Sequence, residues 1–188
     1  MAEKIANKTR VHTVYKLKSG DRVPSVTTIL GILNKPALLD WVWQMGTQGL
    51  DYKAVRDSAG DIGTLAHYLI ICDLKGEKPD TSEYSTQDIE KAETCLIKYW
   101  GWAKGHKVEP IMLETPLLSE QYQFGGTIDF FGKVDGQPTL LDFKTGKAIY
   151  PEFFCQLAAY EQLLAEAGQL IEVTRILRIG RNEDEGFE

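Results

Sequence analysis

Asp129, Asp142 and Lys144 are the residues of this chain best able to do chemistry together. Asp129 ends the run Gly125-Gly126-Thr127-Ile128-Asp129, and the other two lie in Leu140-Leu141-Asp142-Phe143-Lys144. Between these runs stands Asp135-Gly136, a dipeptide suited to the positive-φ pair of a tight hairpin. Side chains alternate along a strand. Thr127, Asp129 and Phe131 are therefore expected on one face of the first strand, and Leu140, Asp142 and Lys144 on one face of the second. Paired through the turn, the strands bring two carboxylates and an amine to one sheet edge. Adjacent carboxylates repel and call for a cation, and hard divalent ions take one or two carboxylates while keeping several waters. Water held by such an ion ionises more readily, and a neighbouring lysine can handle its proton.

The acid-x-Lys spacing occurs three times, at Asp51-Tyr52-Lys53, Asp73-Leu74-Lys75 and Asp142-Phe143-Lys144. The first two sit in stretches that read as helix or helix end, and only the third has the hairpin context. Further candidates lie on helical patterns. His67 follows Gly63 by four residues, so the two share a face and the glycine lets another backbone approach closely. A histidine there serves equally as a packing residue. Gln156 and Tyr160 are spaced i, i+4, but Tyr160 also belongs to an apolar stripe with Phe153, Leu157 and Leu164. Glu114 reads either as support for the site or as an exposed strand residue. Trp41, Trp43, Trp100 and Trp102 can stack bases, though tryptophans on helices more often pack in a core.

These residues need elements to hold them. A short hairpin is expected from Val11 to Val23, turning at Lys18-Ser19-Gly20-Asp21. Ser25 caps a helix over Val26–Leu33, which ends at Asn34-Lys35-Pro36. A helix over Ala37–Gly46 follows, then a helical stretch over Tyr52–Leu74 broken near Gly60 and Gly63, and a helix over Thr86–Lys104. After Gly105 come strands over Val108–Leu118, Phe124–Val134 and Thr139–Lys144, a helix from Pro151 to about Ala167, and a strand over Val173–Ile179. The polar segment after Arg181 is expected to fray. The pattern is an α/β core, about 106–180, with a mostly helical N-terminal lobe, in one domain spanning 1–188.

The bulk properties set limits. A chain of 188 residues can bury a sizeable core. No apolar run approaches the ~20 residues of a membrane span, and Met1–Arg10 lacks a signal-peptide core. The three cysteines, Cys72, Cys95 and Cys155, have no metal-site spacing and suit a reducing cytoplasm. The net charge of −6 disfavours global attraction to nucleic acid. It is uneven, however, with +5 on residues 1–35 and −11 on the rest, so a basic arm could meet phosphates.

In this order the motifs resemble those of the PD-(D/E)XK nuclease superfamily, in particular its RecB-like, phage-exonuclease-like branch. The matching residues are Gly63 to His67, Gly126 to Asp129, Asp142-Phe143-Lys144-Thr145-Gly146 and Gln156 to Tyr160. The opening Pro24-Ser25-Val26-Thr27-Thr28-Ile29-Leu30 is similar as well, and the resemblance spans roughly Val23 to Ile179. It implies a restriction-endonuclease-like core, a mixed central sheet flanked by helices. It implies Mg²⁺ or Mn²⁺ held by His67, Asp129, Asp142 and the Phe143 carbonyl. Lys144 would position or deprotonate the attacking water, and Gln156 and Tyr160 would steady the site or the DNA. The implied activity is a metal-dependent DNA exonuclease of phage-type recombination or repair, in a bacterial or phage-infected cytoplasm. DNA is the implied partner, and an oligomer or a separate single-strand-binding or annealing protein is compatible with it. The alternatives are a structure-specific endonuclease with the same site and an inactive nucleic-acid-binding module of the same fold. The iron–sulfur cluster of some relatives is not expected, because its four cysteines are missing.

Overall fold

A computed structural model describes residues 13–33 and 35–188. The basic residues Lys4, Lys8 and Arg10, the expected strand start at Val11 and the helix-ending Asn34 lie outside them. The elements run β1 (Tyr15–Lys16), β2 (Arg22–Val23), α1 (Val26–Leu30), α2 (Pro36–Thr47), α3 (Tyr52–Lys75), α4 (Thr86–Ala103), β3 (Val108–Ser119), β4 (Phe124–Val134), β5 (Gln137–Lys144), α5 (Pro151–Glu166) and β6 (Val173–Arg178). A mixed four-stranded sheet, ordered β3-β4-β5-β6, is flanked by helices.

Local chemistry accounts for most of these elements. Asp135 and Gly136 sit at φ 53° and 85°. They close the two-residue turn between Val134 and Gln137, which pair in the β4–β5 ladder. The carboxylate of Asp51 accepts from the N–H groups of Lys53 and Ala54 at the start of α3, and Gly76, at φ 68°, ends that helix. Ser25 and Ser85 cap α1 and α4 in the same way, through the N–H groups of Thr28 and Asp88. Pro151 opens α5, where its missing N–H has no partner to lose. The α5 segment then carries the chain back so that β6 lies parallel to β5.

Two clusters form the core, one on each face of the sheet. Leu65, Leu69 and Ile70 of α3 and Ala92, Cys95, Tyr99 and Trp102 of α4 pack on Phe130, Val134, Leu141, Phe143 and Leu177. On the other face Leu157, Tyr160, Leu163 and Leu164 of α5, with Val26 of α1, cover Ile128, Phe131 and Leu140. The helical N-terminal part is thus one wall of the core. The central strand β5 is buried without a break from Thr139 to Phe143, as a strand covered on both faces must be. Gly132 is set by close approach. A Cβ there would stand 2.3 Å from the Glu109 carbonyl oxygen, which is backbone and cannot swing away. Gly132→Ala is therefore expected to cost about 1–3 kcal/mol, read as a lowered denaturation midpoint in urea. An unchanged midpoint would show that β3 yields freely at this point.

Three expectations change. The α3 helix runs unbroken through Gly60 and Gly63. The glycine penalty of about 1 kcal/mol each is outweighed by burial of Ile62, Leu65, Ala66, Leu69 and Ile70 on either side of it. The C-terminal segment does not fray. Arg178 exchanges backbone hydrogen bonds with Glu188, Gly180 donates to the Gly186 carbonyl, and Ile179 bridges to Phe187. The tryptophans divide, with Trp102 buried, Trp41 half-buried, and Trp43 and Trp100 exposed. Among the described residues, no helix is long and apolar enough to cross a membrane.

Candidate active site

The site forms where two neighbouring strands part. The β4–β5 ladder runs from Val134↔Gln137 to Phe130↔Leu141 and stops there. Asp129 and Asp142 would make the next pair. Instead the Phe143 N–H donates to Asp129 Oδ2 at 2.9 Å, so a side chain replaces the strand partner. Beyond the split, the N-terminal segment joins β4. The Gly125 N–H donates to the Pro24 carbonyl at 3.0 Å, and Ser25 bridges Gly125 in parallel.

The expected strict alternation in β4 therefore fails. Phe131 packs on the α5 side, whereas Asp129 meets His67 of α3, with His67 Nδ1 3.6 Å from Asp129 Oδ2. Thr127 bonds the Tyr15 hydroxyl at 2.7 Å. Capturing the Phe143 N–H turns Asp129 out of its alternating position. In β5 the pattern holds. Leu140 packs beneath α5, and the Lys144 ammonium touches Asp142 Oδ2 while lying 4.9 Å from the centre of the Phe153 ring of α5.

His67, Asp129, Asp142 and Lys144 thus form one electrostatic group. Asp142 is 1% exposed. Burial, then the Asp129 charge, pushes its carboxyl up to about 6 against the pull of Lys144 and His67. Burial also opposes ionisation of Asp129, but His67, Lys144 and the Phe143 N–H together hold it below the usual carboxylate range. The same pairing holds His67 above its ordinary value despite its own burial. Of two neighbouring acids, one is held ionised and the other is poised near neutrality.

Gln156 and Tyr160 lie beside this group. Gln156 Nε2 donates to the Tyr160 hydroxyl at 2.7 Å. A Cβ on Gly126 would stand 2.6 Å from the Tyr160 ring, so the glycine of the Gly-x-x-Asp run makes room for that tyrosine. Burial, and more weakly the charges of Asp129 and Asp142, push the Tyr160 hydroxyl above its usual range. Gly125 likewise admits the Tyr15 ring, which a Cβ would meet at 2.2 Å. Sequence reasoning passed over Tyr15. The adjacent glycines were its available signal. Glu114 is exposed, at φ 44° on β3, and makes no hydrogen bond in the site.

The donor chemistry suits a hard divalent cation. Asp142 Oδ1 is buried without a partner, and Oδ2 meets the Lys144 ammonium. A buried carboxylate oxygen left unpartnered is costly unless a donor or a second cation meets it. Two carboxylates and one imidazole fit Mg²⁺ or Mn²⁺, the imidazole favouring Mn²⁺. Among the described residues, however, no three His, Cys, Asp or Glu side chains are placed together so as to hold a metal ion. The protein's share of the coordination would be partial, with water completing it. No protein-family model matches the chain, and no curated protein matches its sequence.

Proposed function

We propose that this chain is a divalent-metal-dependent nuclease that hydrolyses phosphodiester bonds in DNA. The observation that carries the reading is the parted β4–β5 ladder, where Asp129 takes the Phe143 N–H and Asp142 stands buried against Lys144. Asp129, Asp142, His67 and the Phe143 carbonyl would hold Mg²⁺ or Mn²⁺. When bound, the ion supplies Lewis acidity and makes a water molecule nucleophilic near neutral pH. The protein's own groups do the rest. Asp129, fixed by the Phe143 N–H, keeps its charge and its direction. Lys144 orients the attacking water and offsets the charge that builds on the phosphate oxygens. The Phe153 ring restrains the lysine's flexible stem. The Gln156–Tyr160 pair braces the wall of α5 against Gly126.

The order of the motifs supports the finer reading, an exonuclease of phage-type recombination or repair acting on DNA ends. With a net charge of −6, substrate capture rests on local cations. The test is digestion of end-labelled linear and covalently closed DNA with Mg²⁺ or Mn²⁺. Release of mononucleotides from linear DNA alone is the expected result, and nicking of the closed circle would make the enzyme an endonuclease. Metal-dependent binding without any turnover would overturn the enzymatic reading.

A further inference from the structure

A second feature lies one helical turn from His67, on the far side of Gly63. A cleft of about 460 Å³ opens between the N-terminal half of α3, the start of α4 and the loops after β5 and β6. Three cations line it, Lys91, Lys147 and Arg181. Among the described residues neither lysine pairs with a carboxylate. Arg181 is held in place, its Nη2 donating to Thr145 Oγ1 at 2.9 Å. Its Nε is buried with no partner in the protein. Thr145 Oγ1 accepts that bond and keeps its own proton to donate, and the Ser58 hydroxyl lines the opposite wall. The one acid in the lining, Glu185, is tied to two other residues of the cleft wall. It accepts from the Arg181 backbone N–H at 3.1 Å and from Asn182 Nδ2 at 3.3 Å.

The cleft lies near the candidate metal centre, although none of His67, Asp129, Asp142 and Lys144 lines it. Thr145 follows Lys144 in the chain. A Cβ on Gly63 would stand 3.0 Å from Thr145 Oγ1 and 3.4 Å from Arg181 Nη2. The glycine of the Gly-x-x-x-His spacing therefore serves this cleft. It lets the Thr145–Arg181 pair lie flush against α3, where a side chain would intervene.

We propose that the cleft is a phosphate subsite that grips a non-scissile phosphate of the substrate strand next to the bond being cut. An arginine with a free, buried N–H, two unpaired lysines and two hydroxyls form a donor set for a phosphate, which offers several acceptor oxygens and negative charge. The proposal rests on the nuclease reading, and it explains how an acidic protein captures a polyanion, by placing unpaired cations near the chemistry.

The test reads binding rather than cleavage. Wild type, Lys91→Gln/Lys147→Gln and Arg181→Gln are titrated into fluorescently labelled duplex and single-stranded oligonucleotides by anisotropy in EDTA, over a range of salt. Each oligonucleotide carries either a 5′-phosphate or a 5′-hydroxyl. The double lysine variant is expected to bind at least ten-fold more weakly, with the salt slope reduced by about one, as for loss of one phosphate contact. Arg181→Gln is expected to follow it. The lysines stand at the surface of the cleft, so their variant keeps the test decisive if Arg181→Gln folds poorly. A loss confined to 5′-phosphorylated strands makes the bound group a terminal phosphate, and an equal loss on both makes it internal. Either supports the subsite. Unchanged affinity and slope, or no binding by wild type, overturns it. A wild type that cuts DNA while the lysine variant binds normally refutes the subsite alone. A wild type that never cuts, with the binding loss intact, refutes the nuclease reading alone.

Discussion

Replacing Asp142 by Asn is expected to abolish metal-dependent cleavage while making the metal-free protein more stable. Losing several kcal/mol of charge stabilisation at the reacting phosphate corresponds to roughly 10³-fold in rate. The stability gain follows from burial. In the folded chain the Asp142 carboxyl is raised to about 6 from its ordinary 3.8. The unfolded chain thus releases this proton at lower pH than the folded chain does. Stability is lost as pH rises through that window, and the loss is complete above about 6. The difference corresponds to about 3 kcal/mol, an order-of-magnitude figure. For a chain of this size that is about 6–12 °C in melting temperature. Without metal, the melting curves of wild type and Asp142→Asn should coincide below pH 4 and separate above pH 6, with the variant higher. Added Mn²⁺ should raise the wild type and leave the variant unmoved, because only the wild type binds the ion in its folded state. Calorimetry across pH, with and without Mn²⁺, checks all of this. Wild-type cleavage by the variant would sink the assignment of Asp142, and identical melting at pH 8 would sink the account of its buried charge.

The second large effect is expected from Lys144→Met. Methionine keeps the apolar stem and removes the ammonium that touches Asp142 Oδ2. Single-turnover cleavage should fall by about 10²–10⁴-fold, the usual contribution of a positioned proton-handling group. DNA binding should change little, because the cations of the cleft remain. The variant also strips Asp142 of its nearest counter-charge, so its carboxyl should hold a proton to higher pH than in wild type. The residual activity should therefore require a more alkaline buffer. Lys144→Arg keeps the charge but cannot readily release a proton, and is expected to restore binding geometry and folding but not the rate. Full activity in either variant would show that Lys144 only balances charge in a strand.

Much of this architecture was legible in the chain. The cap at Ser25 and the turn at Asp135-Gly136 act through bonds to near neighbours, which the sequence lists directly. The apolar stripe of α5 follows from helical periodicity, and its members Leu157, Tyr160 and Leu164 are buried while Phe153 is half-buried. Local reading failed where a distant partner outweighed it. Gly60 and Gly63 weaken α3 locally, but the sheet's apolar face holds the helix straight. The acidic C-terminal segment has no local reason for order, and the backbone of Arg178 and Gly180 supplies one.

The same division runs through the candidate site. Residue type and spacing alone determined that Asp129, Asp142 and Lys144 belong on adjacent strands of one hairpin, because a two-residue turn admits little choice of register. Which way Asp129 points was decided only by the tertiary structure. The strands part at that point, an amide left without a strand partner draws the carboxylate in, and His67 arrives on a helix from the other end of the sequence. The role of Gly63 was likewise undecidable from its neighbours, since what it makes room for, the Thr145–Arg181 pair, is brought to it by strands β5 and β6. Turns and periodicities are short-range physics and can be read along the chain. The partner of a buried polar group is chosen among residues that only folding brings together.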